Sequence, residues 1–505
     1  MLDITYASVH ELQEAYREGR LTVKEVVMAH LARIAKIDSC EGGLKSVIEV
    51  NPDALFIAER LDRVLQENKD LPPLFGIPVL LKDNIGTGPD SRMRTSAGSL
   101  ALASHYGYQA SIVWQIEGAG AIILGKTNMT EFANYMTTEG MPNGYSSRGG
   151  QTLCPYNREV DPSGSSSGSA VAVAAGLSTL SIGTETSGSI ISPAGANGVV
   201  GIKPTLGLVS RDSVIPISST FDTPGPMARN VADAALLLGI IAGENAADKA
   251  TMMLPHKPAD IAPAGCAHGS IVHGYIPPYA RVYMESLTGE RLDGVRIGLN
   301  RAKEFEHWSM KDDDESKAAF DSFCDMLKSA GAILVDNLEM EPCYDTRRVI
   351  MQHEFKACMN HYLNNSVASR SGEMRTLEDI IRFNQANAAT ALKYGQSLLL
   401  DAQNKSSGNL TEPEYIEALL EREKAIVEMD NLFNEHNLDV LLGDVFVYIA
   451  PFTGFPSMTI PTGQRQKNNM PLRASFTARR LDEAKMISVA YIAEKMLGLN
   501  LRPEL

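Results

Sequence analysis

The ten residues Asp161-Pro-Ser-Gly-Ser-Ser-Ser-Gly-Ser-Ala170 decide how this chain is read. Five of the nine residues from Pro162 to Ala170 are serine, and the small apolar run Val171-Ala-Val-Ala-Ala-Gly176 follows at once. Gly/Ser composition is that of a flexible linker, yet a linker does not run straight into a segment patterned for burial. A phosphate loop fails because no Gly-Lys-Ser/Thr follows and no GxGxxG spacing fits. Gly164-Ser-Ser-Ser-Gly168 does match GxSxG, with Ser166 at its centre, but a nucleophile elbow follows a buried strand. Here the preceding residues, Cys154 to Ser163, are polar loop. An elbow serine also needs a histidine base, and all ten histidines lie outside the stretch from Tyr106 to Pro255. A Gly/Ser turn that starts a helix close to a strand fits the segment taken alone.

A second stretch changes the weighing. Gly183-Thr-Glu-Thr-Ser-Gly-Ser-Ile-Ile-Ser-Pro-Ala194 lies at the end of an apolar strand-like run and sets Ser189 among small residues. Such a turn can aim several backbone N–H groups at one point, as a developing oxyanion requires. Without a nearby histidine, the base for a serine there has to be a lysine or a carboxylate. Lys82 ends the apolar run Ile77-Pro-Val-Leu-Leu81. A buried lysine gives up its charge readily because desolvation disfavours the ammonium. A lone lysine at a strand end has a plainer reading, a stem along the surface with its head in water.

The ordered set Pro78-Val-Leu-Leu-Lys-Asp-Asn-Ile85, then "SGSSSGSAVAVAAG", then "GTETSGSI" followed by "NGVVGIKPTLGLVSR" and "DTPGPMAR", resembles the amidase signature family. The core of the match runs from about Leu71 to Gly243, and the wording is most like the peptide amidases. The resemblance implies an amidohydrolase with a Ser-cisSer-Lys triad that cleaves a carboxamide C–N bond through an acyl-enzyme. By position, Lys82 matches its lysine, Ser165 the bridging serine held in a cis peptide, and Ser189 the acylated serine. Thr186, Ser187, Gly188 and Ser189 match its oxyanion turn, while Ala133 and Asn134 fall where its acyl pocket is lined. Asp83 and Asn84 would order the lysine loop, Asp222 is a turn carboxylate beside the site, and Lys203 is read as structural. No metal or organic cofactor is implied. The expected partner is a small-molecule or peptide amide, with peptide C-terminal amides the foremost class, and the chain itself is expected as a monomer or homodimer.

This chain departs from the family wording at Glu185-Thr-Ser-Gly-Ser-Ile-Ile191, where many members carry Asp-(Thr/Ile)-Gly-Gly-Ser-Ile-Arg. Ser187 and Ser167 each replace a glycine, and the usual acidic–arginine pair cannot form with Ile191. These departures bear on substrate scope and leave every triad position intact. The resemblance also leaves open the amidase-like component of a tRNA-dependent amidotransferase, or an inactive scaffold of the same fold. A Ser–His–Asp esterase is the remaining and more distant reading.

Composition bounds the rest. The 505 residues are 44% hydrophobic and 21% charged, as in a soluble globular protein with an ample core. A formal net charge of −15 repels nucleic acid and anionic membrane alike. There is no apolar run long enough to span a membrane, and the first twenty residues lack a signal peptide's basic and apolar regions. Six scattered cysteines without a CxxC pair read as reduced thiols in a cytoplasmic protein, not as a zinc site.

Helix-patterned and strand-patterned segments alternate from about residue 77 onward, which predicts an α/β fold with a large central mixed sheet covered by helices on both faces. Ser8 with Glu11, and Thr22 with Glu25, predict capping boxes on two opening helices, and residues 52–68 read as a third. Two excursions interrupt the alternation: 245–292, rich in Ala, Pro and His, and 345–436, almost wholly helical in pattern. Neither has linker composition, so the expectation is one domain over residues 1–505.

Overall fold

The apolar run that ends at Lys82 forms the strand Pro78–Lys82, with all five residues buried. A computed structural model describes residues 2–67, 70–254, 276–307, 309–340, 344–366 and 374–505. Its strands, in chain order, are β1 (Val47–Val50), β2 (Pro78–Lys82), β3 (Ile122–Thr127), β4 (Tyr145–Ser146), β5 (Gly150–Gln151), β6 (Leu180–Glu185) and β7 (Val200–Lys203). They continue with β8 (Thr223–Ala228), β9 (Arg296–Gly298), β10 (Ile333–Val335), β11 (Val440–Leu442), β12 (Ser457–Gln464) and β13 (Pro471–Ala478). Eleven of them make one sheet in the order β1-β3-β2-β6-β8-β7-β12-β13-β11-β9-β10, and β4 pairs with β5 alone. β2 runs parallel to β3 and β6, and β9 parallel to β10 and β11. The other ladders are antiparallel. The sheet is mixed, as expected.

β2, β3 and β6 are buried along their whole length, the mark of strands covered on both faces. Apolar residues of the opening helices, of Ser111–Gly118, Val231–Ile241 and Glu483–Leu497 form one large core with these strands. Both opening helices carry the capping boxes read from sequence, Ser8 with Glu11 and Thr22 with Glu25. The third helix spans Ala54–Glu67. A smaller apolar cluster, including Ala170, Val173, Ile190, Ala194 and Met227, joins the helices that follow the two Gly/Ser turns. The fixed positions of those turns follow from this packing.

The helix Ser167–Ala174 is buried on every side, and small residues are what allow it. A Cβ placed on Gly168 would lie 2.3 Å from the Asn128 carbonyl oxygen and 2.4 Å from that of Ser46. Both are backbone atoms and neither can swing away. Gly168→Ala is therefore expected to cost about 1–3 kcal/mol of stability, the usual range for overpacking a filled core. Urea unfolding measures this, and an unchanged midpoint would contradict the close packing.

β8 is not legible as a strand in the sequence. "TPGPMA" carries two prolines and reads as turn, yet it forms a buried central strand. Proline removes a ladder donor, and the pairing to β7 is carried only by Met227 and Ala228, beyond both prolines.

The excursions are ordered differently. Residues 255–275, the middle of the 245–292 segment, lie outside the described residues. The part that follows forms the helix Pro278–Glu285, where Ala280 packs so closely on Gly239 that a Cβ there would meet its backbone at 2.2 Å. The 345–436 segment is helical as read, in Tyr344–Asn365, Leu377–Ala386, Ala388–Ala391, Ser397–Lys405 and Pro413–Glu435. Among the described residues, no helix is long and apolar enough to cross a membrane. Cys40, Cys154, Cys324 and Cys358 are free thiols, while Cys266 and Cys343 lie outside the described residues.

Candidate active site

Three parallel neighbours, β3, β2 and β6, end their carboxyl termini on one edge of the sheet, where ligands of α/β proteins gather. Lys82 is the last residue of β2 and is fully buried. Its Nζ donates to Ser165 Oγ at 2.8 Å, to Ser166 Oγ at 2.8 Å and to the Thr184 carbonyl at 3.0 Å. Three acceptors match the three donors of an ammonium, and a neutral amine at the same point can take a proton from either hydroxyl. Burial lowers the Lys82 pKa to about 7, against the opposing pull of the Asp222 and Glu185 carboxylates. The amine is thus poised to exist neutral near physiological pH.

The Gly164–Ser165 peptide is cis, which is the position the family resemblance assigns. Ser165 and Ser166 are fully buried. The loop is tied on one side by the Thr130 N–H, which donates to the Ser165 carbonyl at 3.1 Å, and on the other by the Ser166 N–H, which donates to the Ser189 carbonyl at 3.2 Å. Lys82, Ser165 and the Ser189 backbone are therefore brought together. No hydrogen bond joins the side-chain oxygens of Ser165 and Ser189 among the described residues.

Ser166, the centre of the GxSxG match, has a role that the sequence does not reveal. It is the residue before the helix Ser167–Ala174 and follows no strand. Its Oγ accepts from Lys82, donates to the Thr184 carbonyl at 3.0 Å and accepts from the Thr184 N–H at 3.2 Å. It fastens the lysine and the end of β6 to the same loop. The signal available in the sequence is the adjacency of two serines opposite one lysine.

The turn after β6 is built to leave donors open. Gly188 sits at φ 80°, a left-handed conformation that favours glycine. The Glu185 carboxylate accepts from the Ile190 N–H at 2.7 Å and the Ile191 N–H at 3.1 Å, so it caps the helix that begins at Ile191. Glu185 thus turns inward onto its own turn, in place of the acidic–arginine pair that Ile191 rules out. The Thr186 hydroxyl donates to Asp222 Oδ1 at 2.5 Å. Burial raises the Asp222 pKa to about 6, opposed by hydrogen bonds from Thr186, Ser218 and Ile217. The backbone N–H groups of Thr186, Ser187, Gly188 and Ser189 donate to no acceptor among the described residues. Ser187 is half-buried and Ser189 is 7% exposed. Tyr448 carries no signal in the sequence, yet its ring lies on the turn: a Cβ on Gly188 would meet Tyr448 Cε1 at 3.1 Å, and the Tyr448 hydroxyl is 2.9 Å from Ser192 Oγ.

Asp83 and Asn84 order the lysine loop as expected. Asp83 accepts from Ser96 Oγ, from the Gly98 N–H at 3.0 Å and from Arg148 at 3.3 Å. Asn84 donates to Thr184 Oγ1 at 3.0 Å and holds the Ile215 N–H on its carbonyl at 2.8 Å. Beneath them sits Lys126, unremarked in the sequence, whose buried Nζ donates to the Ile85 carbonyl, the Arg94 carbonyl and Thr95 Oγ1. Lys203 is buried and donates to the Pro204 carbonyl at 2.9 Å, a structural placement. Ala133 is half-buried and Asn134 exposed, both with positive φ, and no hydrogen bond links either to Lys82, Ser165 or Ser189. Their segment touches the site through Thr130. No histidine among the described residues hydrogen-bonds Ser165, Ser166 or Ser189; His30 and His105 are buried on other partners.

A serine turn with open N–H donors, next to a buried lysine held by two serine hydroxyls, is machinery for acyl transfer. The amidase family profile matches residues 25–447, and the chain belongs to that family. It is a hydrolase of the amidase signature fold. A native peptide amidase from Stenotrophomonas maltophilia is 38% identical, with a TM-score of 0.86 over 99% of this chain and 98% of that one. A probable amidase of Arabidopsis thaliana is 35% identical over 99% of this chain and 92% of its own length. The amidase-like component of a glutamyl-tRNA(Gln) amidotransferase from a Synechococcus strain is 29% identical over 98% of this chain and 99% of its own.

Proposed function

We propose that the protein hydrolyses carboxamides to a carboxylic acid and ammonia through an acyl-enzyme on Ser189, with peptide C-terminal amides as the foremost substrates. The observation that carries this reading is the buried Lys82 Nζ, 2.8 Å from the Ser165 hydroxyl, with its pKa lowered to about 7 by burial. Neutral Lys82 takes the Ser165 proton while Ser165 takes that of Ser189, and Ser189 Oγ attacks the amide carbon. Substrate binding has to complete the Ser165–Ser189 contact, since catalytic hydrogen bonds often tighten only in the loaded site. Charge developing on the carbonyl oxygen falls to the open N–H groups of residues 186–189. The proton then returns along the same relay to the departing nitrogen, the C–N bond breaks and ammonia leaves. Water, activated by the same lysine–serine pair, attacks the ester and frees Ser189.

The substrate class rests on the similarity to the S. maltophilia peptide amidase. Ammonia release should be measured across peptide amides, short aliphatic amides, aryl amides and glutamine. Peptide amides are expected to lead; turnover confined to short aliphatic or aryl amides would overturn the class, and no turnover of any amide would overturn the hydrolase reading.

The Synechococcus likeness supports a second reading, an amidotransferase component that works with a partner protein. Release of ammonia from glutamine only after the partner is supplied would establish it. The same fold as an inactive scaffold is disfavoured by a Lys82–Ser165–Ser166 cluster with every donor and acceptor in place. A Ser–His–Asp esterase lacks a histidine on these serines among the described residues.

A further inference from the structure

Glu354 lies on the helix Tyr344–Asn365, within a segment whose sequence carries no chemical motif, and is 1% exposed. A buried carboxylate is costly unless its oxygens are filled. Four donors fill this one. Ser218 Oγ and the Thr220 N–H (3.0 Å) donate to Oε2, while Thr220 Oγ1 (2.5 Å) and the Tyr415 hydroxyl (2.8 Å) donate to Oε1.

Three of those four donors belong to the turn that carries Asp222. In that turn the Ile217 and Ser218 N–H groups donate to Asp222 Oδ2 at 2.7 and 2.9 Å. The other oxygen, Oδ1, receives the Thr186 hydroxyl. One continuous line of buried hydrogen bonds therefore runs from Glu354 through Ser218 and Asp222 to Thr186, the first residue of the turn with open N–H groups. The next residue on the same helix, Phe355, stacks at 4.6 Å from Tyr135 and edge-on at 6.3 Å from Phe132, the residues flanking Ala133 and Asn134.

We propose that Glu354 is a positioning residue for the oxyanion turn: it fixes the 217–222 turn, and through Asp222 it sets the Thr186 end of residues 186–189. The role assigned to that turn rests on the amidase reading above; the mechanical coupling does not. A carboxylate is required because all four partners donate. A glutamine at this position presents an NH2 group to one of the two donor pairs and so breaks one side of the anchorage. A displacement of the oxyanion donors lowers the rate of the chemical step far more than it weakens binding of the ground state.

Two measurements on the full chain test this. In steady-state ammonia release, Glu354→Gln is expected to lower kcat about tenfold to a hundredfold, the scale on which small misplacements act, with KM within about twofold. Tyr415→Phe removes the one donor outside the 217–222 turn and is expected to leave kcat within about twofold. In a Thr186→Val background, where the line is already cut, Glu354→Gln is expected to add little, a non-additivity that marks coupled residues. Hydrogen–deuterium exchange gives the answer without turnover: Glu354→Gln should raise exchange in peptides covering 217–222 and 184–191 together. The proposal is overturned by loosening of 217–222 alone, by additive losses with Thr186→Val, or by equal losses in Glu354→Gln and Tyr415→Phe, which would report general destabilisation. If wild type turns over no amide, the hydrolase reading fails, while the exchange at 184–191 still decides the coupling.

Discussion

Ser189→Ala is expected to lower kcat for ammonia release by about 10⁴-fold or more, the scale of loss when the nucleophile of a concerted serine machinery is removed. The substitution deletes one oxygen from a residue whose backbone is held independently. The Ser189 carbonyl keeps its bond from the Ser166 N–H, and Glu185 still caps the helix that follows. The variant should fold, bind amides and leave the Lys82–Ser165–Ser166 cluster undisturbed. Circular dichroism and thermal unfolding check the fold, and a single-turnover assay checks the chemistry. Retained turnover in a folded variant would move the nucleophile elsewhere, with Ser166 the nearest hydroxyl.

Lys82→Met should cost about 10²–10⁴-fold in kcat, the contribution of a well-placed general base. It should also remove a feature of the pH profile. Burial lowers the Lys82 pKa from 10.5 to about 7, so the neutral amine that accepts a proton predominates above that pH. Below it the ammonium accumulates, and the acylation rate should fall about tenfold per pH unit. Wild type is therefore expected to show kcat/KM rising through about pH 7 and then levelling, and the residual activity of Lys82→Met should lack that limb. A wild-type profile flat from pH 5 to 9, or one whose limb survives in Lys82→Met, would detach the rate from this lysine.

Much of the site is legible in the sequence because its chemistry demands rare local patterns. A lysine at the end of an apolar run, a serine-rich turn before an alanine helix, and a glycine-flanked serine after a strand are each unusual, and their order is more so. Lys82, Ser165 and the Ser189 turn follow from these words. What the sequence hides are partners joined only by the fold. The Ser166 hydroxyl looks like an elbow nucleophile until the lysine is seen bonded to it. Lys126, Tyr448 and Glu354 sit in segments without motif and meet the site from strands or helices far along the chain. β8 is hidden for another reason: its prolines argue against a central strand, and only the short ladder to β7 makes room for them. Ala133 and Asn134 are singled out by resemblance alone, and the structure joins their segment to the site through Thr130 instead.

The central claim is that Ser189 carries the acyl group, activated by Lys82 through Ser165. Labelling of the native protein with a fluorophosphonate, followed by peptide mass mapping, tests it most directly. The account predicts one adduct per chain, on Ser189, formed faster as pH rises through about 7 and formed negligibly in Lys82→Met. An adduct on Ser166, or no adduct in protein that is releasing ammonia from amides, would contradict it.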